Sequence, residues 1–272
     1  ATGAADSLTV STFASAINDD VNATLVTAGI ETLNIAIGAS AAVTLNSGDV
    51  QLNVASVDAA TITVSGGKAT EDLDLTGGAA AILNAATTTV DASTYNGSLT
   101  VTAQTNAATT ITTKGTGVAT LTGSTGADTF TIGSSALTHV IVMGAGTDTL
   151  NITSSGTTPL TSSTGVEIFN ITVAAGATSR VDAATSNFFN AAGTTTVNVL
   201  GGSATSTFLS NADPVNSTSG ATLFDFSAFE GRIVDLAFDS NQLGATVTVK
   251  GAKAAGATAA TGDKITAAFG AS

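Results

Sequence analysis

Short runs in which apolar and polar residues alternate recur along the whole chain. The apolar residues are mostly Val, Ile and Leu, the polar ones are Thr or Asn, and Gly, Ser, Asn or Asp stands at each end. An alternation of period two puts the apolar side chains on one face of a β-strand and the polar ones on the other. The pattern predicts an all-β chain, with strands over residues 8–10, 32–35, 43–45, 51–54, 61–64, 99–101, 110–112, 120–122, 197–199 and 246–249.

A long internal repeat emerges when the sequence is aligned with itself. Four segments return in the same order, each 134 to 136 residues further on. Such a series predicts a tandem duplication, with a first repeat unit over residues 1–136 and a second over 137–272. The matched pairs of segments are 29–35 with 165–171, 63–70 with 198–205, 91–97 with 225–231, and 111–115 with 247–251.

The composition excludes several classes of protein. With 7 Lys and Arg against 20 Asp and Glu, the net charge is −13, which is the opposite of a nucleic-acid-binding surface. Hydrophobic residues make up 43% of the chain, enough for a folded core. The chain has no Cys, so zinc–thiolate sites and disulfides are excluded. No apolar stretch reaches the roughly 18 residues of a membrane-spanning helix, so membrane insertion is not expected.

Two segments fit the calcium-binding nonapeptide pattern G-G-x-G-x-D-x-U-x, in which U is a large apolar residue. Residues 123–131 read GSTGADTFT, with Ser124 in place of the second Gly, and residues 143–151 read MGAGTDTLN, with Met143 in place of the first. Glycines allow tight turns whose carbonyls face an ion, and the aspartate supplies the hard anionic oxygen that calcium prefers. We therefore expect Gly126, Asp128, Gly146 and Asp148 to be metal ligands, with the two turns stacked at one edge of the fold.

Weaker copies of the pattern occur elsewhere. Gly66 and Gly67 precede Asp72 and Asp74, which makes these two aspartates further candidate calcium ligands. Asp6 and Asp263 also lie in short glycine-containing segments, but these segments match the nonapeptide pattern less well. A Gly-x-Asp motif is also common in ordinary β-turns that bind no metal, so a purely structural role stays open for all of these residues.

These motifs resemble RTX-type calcium-binding repeat proteins, in particular bacterial surface-layer proteins exported by type I secretion. The resemblance rests on residues 126–130, 146–151, 165–171 and 91–93. It implies a right-handed parallel β-solenoid with calcium at its turns, which assembles with copies of itself into a lattice on the bacterial cell surface. A cell-surface polysaccharide, bound through sequence that flanks this chain, is a further expected partner. The chain departs from the family in having two good nonapeptides rather than a long uninterrupted block.

Other functions are open but less well supported by the sequence. One alternative is an RTX-type adhesin that presents a flank to a receptor, and another is a polysaccharide-active β-helix enzyme. We expect no catalysis, because His139 lies in a strand-like run and Glu31 and Glu167 occupy equivalent places in the two repeats. An ice-binding face would need Thr-x-Thr on consecutive coils at a fixed spacing. The threonines at 109–113 and 194–196 are too irregular in sequence to predict one.

Overall fold

The computed structural model describes 17 segments of the chain: residues 6–13, 21–24, 30–38, 49–53, 59–67, 72–76, 87–104, 107–133, 139–154, 157–158, 160–181, 196–202, 206–209, 222–229, 233–238, 247–250 and 264–269. Within them every regular element is a β-strand, which confirms the prediction of an all-β chain. No helix in these segments is long and apolar enough to cross a membrane.

The first twelve strands are β1 (Ser7–Phe13), β2 (Val21–Thr24), β3 (Thr32–Gly38), β4 (Asp49–Asn53), β5 (Thr61–Gly66), β6 (Asp72–Thr76), β7 (Thr89–Tyr95), β8 (Ser98–Thr102), β9 (Thr110–Thr113), β10 (Ala119–Thr122), β11 (Thr129–Ile132) and β12 (His139–Val142). The rest are β13 (Thr149–Ser154), β14 (Thr157–Thr158), β15 (Leu160–Thr164), β16 (Ile168–Val173), β17 (Thr178–Val181), β18 (Thr196–Gly201), β19 (Thr207–Leu209), β20 (Thr222–Phe229), β21 (Ile233–Phe238), β22 (Val247–Lys250) and β23 (Lys264–Phe269).

The chain forms two compact units. Unit 1 comprises residues 1–133 and 141–146, and unit 2 comprises residues 134–140 and 147–272. In unit 1 the odd-numbered strands form one parallel sheet in the order β1-β3-β5-β7-β9-β11, and the even-numbered strands form a second in the order β10-β8-β6-β4-β2. Successive strands thus alternate between two sheets, which is consistent with a β-solenoid. We call each pair of successive strands, one from each sheet, a coil.

Unit 2 follows the same plan. One of its parallel sheets has the order β13-β16-β18-β20-β22, and another has the order β14-β17-β19-β21-β23. From β16 onward each strand of the first sheet is followed by one of the second. The division of the chain into equal repeats at residues 136 and 137 stays a prediction.

Part of the core of unit 1 is a column of apolar side chains on the inward face of its first sheet. Each of its five residues stands opposite the next on the neighbouring strand, and each has no exposed surface. β-Branched and aromatic side chains suit this position because they pack well against a pleated sheet. The column consists of Leu33, Ile62, Val90, Ile111 and Phe130. In unit 2, Leu150, Phe169 and Val197 form the corresponding column and are equally buried.

The two units share an irregularity at matching positions. In unit 1 the register between β5 and β7 shifts between Thr63 and Ser65, and in unit 2 the register between β18 and β20 shifts between Asn198 and Leu200. Each shift is followed by two glycines with positive φ, Gly66 and Gly67 in unit 1, Gly201 and Gly202 in unit 2. A β-bulge is a specific local feature rather than a packing accident, so its recurrence supports the predicted duplication.

Candidate functional site

The glycine-containing first parts of the two nonapeptides, which both lie in unit 1, stack on one another as the sequence predicts. The backbone N–H of Gly123 donates to the carbonyl of Val142 at 2.6 Å, and the N–H of Ala145 donates to the carbonyl of Ser124 at 3.1 Å. Gly144 has φ +97, and a Cβ at this residue would lie 1.9 Å from the carbonyl oxygen of Ser124. Only glycine fits this turn, because both the backbone conformation and the close approach exclude a side chain.

The carboxylate of Asp128 holds the backbone of two neighbouring segments. Its Oδ1 accepts the N–H of Thr109 from the preceding coil at 2.6 Å, and its Oδ2 accepts the N–H of Ser124 within its own turn, also at 2.6 Å. The side chain is 1% exposed. A buried carboxylate needs such partners, and short charge-assisted bonds to N–H groups are among the stronger hydrogen bonds in proteins.

Ser124, the departure from the glycine pattern, adds a hydroxyl to this network. Its Oγ accepts the N–H of Gly126 at 2.9 Å. The same oxygen lies 2.9 Å from the carbonyl of Ala107 and 3.2 Å from Oδ1 of Asp128, so its single proton is shared between these two acceptors. The predicted ligand Gly126 is therefore tied into the turn through its backbone. Neither Ser124 nor Thr109 is predicted from the sequence to have a role in this turn, although a serine at a glycine position was an available signal.

Asp148 lies directly before β13 and is fully buried. Its backbone N–H donates to Oε2 of Glu167, one coil further on, at 2.8 Å, and its carbonyl accepts the N–H of Ile168 at 3.0 Å. The predicted ligand Gly146, two residues before it, is exposed and has φ +146. This arrangement makes the Asp148–Glu167 pair a link between successive coils of unit 2.

An equivalent link occurs in unit 1. The backbone N–H of Asp6 donates to Oε2 of Glu31 at 2.7 Å, and the carbonyl of Asp6 accepts the N–H groups of Glu31 and Thr32. In both units the aspartate precedes a strand, and the glutamate precedes the neighbouring strand of the same sheet. Glu31 and Glu167, which occupy equivalent places in the sequence repeat, thus make equivalent contacts in the two units. We call the two pairs the carboxylate clamps.

Asp72 and Asp74 lie together on the second sheet of unit 1. They occupy the half-buried face of β6, while Leu73 between them is fully buried. The register places Asp72 opposite Asp49 on β4, a residue that the sequence analysis did not select. Like charges at directly opposite positions destabilise a sheet, so this is a place where a cation would be favourable.

Polar side chains also link the coils of unit 2 along one column. The side-chain amide of Asn170 donates to Oδ1 of Asn151 at 2.7 Å, and that of Asn198 donates to Oδ1 of Asn170 at 2.7 Å. The three residues are in register on β13, β16 and β18. An amide can donate on one side and accept on the other, so each added coil extends the same ladder.

His139 and Tyr95, whose side chains are of types found in catalytic and sugar-binding sites, are both buried. His139 is 2% exposed, and burial lowers the pKa of its imidazole from 6.5 to about 4, so it is neutral at physiological pH. Tyr95 is 3% exposed, which suits a core position rather than a carbohydrate-binding platform. Both side chains are therefore part of the core.

The calcium ligands expected from the sequence differ in how well they fit a cation. Both oxygens of Asp128 accept backbone N–H groups, so a cation there would have to compete with two short hydrogen bonds. Asp72 is paired in register with Asp49, which adds a second acidic residue beside this predicted ligand. No group of three or more His, Asp or Glu side chains suited to a metal occurs in the part of the chain that the structure describes. Calcium binding stays a prediction for all six predicted residues, and Asp263 lies outside the described residues.

Comparison with known proteins gives no relative. No family model matches the sequence, and neither a curated protein nor a solved structure matches the chain.

Proposed function

We propose that the chain is a structural module of a bacterial surface layer, exported to the cell surface, where copies associate into an extracellular lattice. In this proposal the two-sheet architecture closes into a right-handed parallel β-solenoid braced by calcium, and the chain is not an enzyme. The observation that carries the proposal is the in-register stacking of coils, cross-linked from coil to coil by side chains at repeated positions.

The placement of the carboxylates supports a structural rather than a catalytic role. Asp128, Glu31 and Glu167 each accept a backbone N–H from a neighbouring coil at 2.6 to 2.8 Å. A general acid or base must be able to reach a substrate, whereas each of these carboxylates has an oxygen already occupied by a backbone N–H group. The same carboxylate clamp occurs in both units. A contact repeated in this way is expected of a structural link along a scaffold rather than of a single active site.

A calcium requirement is part of the proposal. The net charge of −13 opposes close approach of copies, and the facing positions of Asp49 and Asp72 concentrate negative charge on one sheet. A divalent cation at Asp72 and Asp74 would lower this repulsion within the fold. On the surface, calcium would screen or bridge acidic groups of neighbouring copies.

The experiment is to image the purified chain by negative-stain electron microscopy while calcium is titrated, with light scattering on the same samples. We expect planar patches that grow with calcium and disperse in chelator. Particles that fold but remain monomeric at high concentration in calcium would count against the surface layer and favour the adhesin. A planar lattice that forms equally in chelator would support the surface-layer function but contradict the calcium requirement.

Variants separate the proposed calcium ligands from general charge effects. Calcium that binds only the folded state raises the melting temperature by mass action. We expect the double substitution Asp72→Asn with Asp74→Asn, and separately Asp148→Ala, to reduce the calcium-dependent rise. Asp58→Ala, which removes a carboxylate outside the predicted ligands, is the control. Equal melting curves in calcium and in chelator for the unaltered chain would refute calcium binding.

A further inference from the structure

The outward face of the first sheet in unit 1 is a two-dimensional grid of side chains, most of them threonine. Its first column runs across six successive strands, each residue directly opposite the next, and contains only hydroxyl side chains. This column is Ser7, Thr32, Thr61, Thr89, Thr110 and Thr129.

The second column lies two residues further along each strand and so on the same face. It is Thr9, Asn34, Thr63, Asp91, Thr112 and Thr131. None of the twelve residues is buried. We call the two columns together the threonine grid.

The grid is not visible in the sequence. The intervals between successive strands vary from 19 residues, between Thr110 and Thr129, to 29 residues, between Thr32 and Thr61. The extra residues lie between the strands of this sheet, so the register restores the alignment that the sequence hides. The threonines are irregularly spaced in the sequence, which argued against an ice-binding face. In the folded chain they are aligned in regular columns, so this objection is removed.

The geometry gives the grid a fixed repeat in both directions. Neighbouring strands lie about 4.8 Å apart, and residues i and i+2 of one strand about 6.7 Å apart. The six strands therefore span about 24 Å across the grid. Threonine is β-branched and has a restricted χ1, so its hydroxyl and methyl groups stay in defined positions. The fully buried column from Leu33 to Phe130 lies directly beneath the grid and keeps the strands in place.

The chemistry of the grid suits a neutral, ordered ligand. The chain carries 20 acidic residues, yet only Asp91 falls among the twelve positions. Its Oδ1 accepts the N–H of Ser93 at 3.0 Å, so this carboxylate is engaged by its own backbone. No aromatic side chain stands on the grid to stack on a sugar ring. The threonine grid therefore presents mainly a regular array of hydroxyl and methyl groups. This combination of groups can order water.

We propose that the threonine grid of unit 1 binds the surface of ice. Hydroxyl groups on a rigid lattice donate to and accept from lattice water, while the methyl groups between them hold water in cages at the interface. Because many weak contacts form at once on a preordered surface, little conformational entropy is lost on binding. This activity is independent of the proposed lattice and of calcium.

The experiment measures the fraction of purified chain incorporated into a slowly growing ice front, together with inhibition of ice recrystallisation. We expect the fraction of this chain incorporated into ice to be well above the fraction of serum albumin, which serves as the negative control. Replacing Thr110 and Thr112 with Tyr places two large rings in the centre of the grid. This variant should need about tenfold more protein for the same inhibition, equivalent to about 1.4 kcal/mol of binding free energy.

The matched control replaces Thr100 and Thr120 with Tyr. These residues are in register on β8 and β10, on the outward face of the second sheet of the same unit. Tyrosine has a high strand propensity, so both variants should keep the fold, which circular dichroism melting would verify. The control should retain full ice activity. Exclusion of the unaltered chain from ice, or equal losses in both variants, would overturn the proposal.

Two other occupants of the grid give distinct outcomes. A second copy of the chain on this face would produce a dimer in gel filtration that the Thr110 and Thr112 variant abolishes, without ice activity. A crystalline polysaccharide would retain the chain on insoluble cellulose or chitin, again without ice activity. Either result would replace ice as the ligand.

Discussion

Oε2 of Glu167 lies 2.8 Å from the backbone nitrogen of Asp148, one coil away, and the equivalent atoms of Glu31 and Asp6 lie 2.7 Å apart. The glutamate thus satisfies a backbone donor at the start of the preceding strand of its sheet. Parallel coils have no hairpin to fix their register, so such links help to set which residue faces which.

The carboxylate clamps should contribute to stability by different amounts. Glu167 is half-buried and Glu31 is exposed, so water competes more strongly for the Glu31 bond. We expect Glu167→Ala to lower the free energy of unfolding by about 1–2 kcal/mol and Glu31→Ala by less than about 1 kcal/mol. Urea unfolding of each variant measures both, with Thr164→Ala, an exposed strand substitution, as the control. A larger loss for Glu31→Ala would contradict this ranking.

Asp128 should act as an acceptor of backbone N–H groups whether or not calcium is present. The substitution Asp128→Asn replaces one acceptor oxygen with an NH₂ group, which would face the N–H of either Ser124 or Thr109. Two donors then point at each other in a buried site, at a cost of about 2–3 kcal/mol. Thermal or urea unfolding in chelator should reveal the whole effect. Destabilisation that appears only in calcium would instead identify Asp128 as a cation ligand.

Gly66 and Gly201 occupy matching positions in the two units and allow a matched test of what a side chain costs there. Both have positive φ, at +83 and +66, so alanine at either position should be strained by about 1 kcal/mol or more. A Cβ at Gly66 would lie 2.1 Å from the carbonyl oxygen of Ile37, whereas at Gly201 it would lie 3.1 Å from that of Val173. We therefore expect Gly66→Ala to lower the melting temperature clearly more than Gly201→Ala. Equal effects would mean that the backbone near Ile37 relaxes to accept the methyl group.

The sequence predicts the strands well because their signal is local. The alternation over residues 32–35, 61–64 and 110–112 lies within β3, β5 and β9, and the stacking of the two nonapeptide turns follows from their spacing. The register between strands is not local, since it depends on how the chain between two strands is accommodated. For that reason the threonine grid, and the facing positions of Asp49 and Asp72, could be found only in the folded chain.

The role of Asp128 could not be predicted from the sequence alone. The motif correctly places this aspartate in a glycine turn, but a calcium ligand and an acceptor of backbone N–H groups require the same residue at the same position. Only the positions of Thr109 and Ser124 show which donors surround it. The hydroxyl of Ser124 could have been a clue, because a glycine replaced by serine adds a group that must find partners.

The last prediction concerns acid stability and rests on His139. Burial lowers the pKa of the imidazole to about 4 in the folded chain, against 6.5 in the unfolded chain. The neutral ring therefore favours folding above pH 6.5, and this contribution is lost as the pH falls from 6.5 toward 4, because the unfolded chain binds the proton first. The full difference corresponds to about 3 kcal/mol at most.

Carboxylates also titrate below about pH 5, so the histidine contribution must be isolated by comparison. We expect His139→Leu to remove it: unfolding free energies of the variant should fall less steeply than those of the unaltered chain between pH 6.5 and 5. Leucine changes the packing around the site, but that change shifts the whole curve without altering its slope. Parallel curves over this interval would show that His139 takes up its proton without unfolding, and that its burial does not control acid stability.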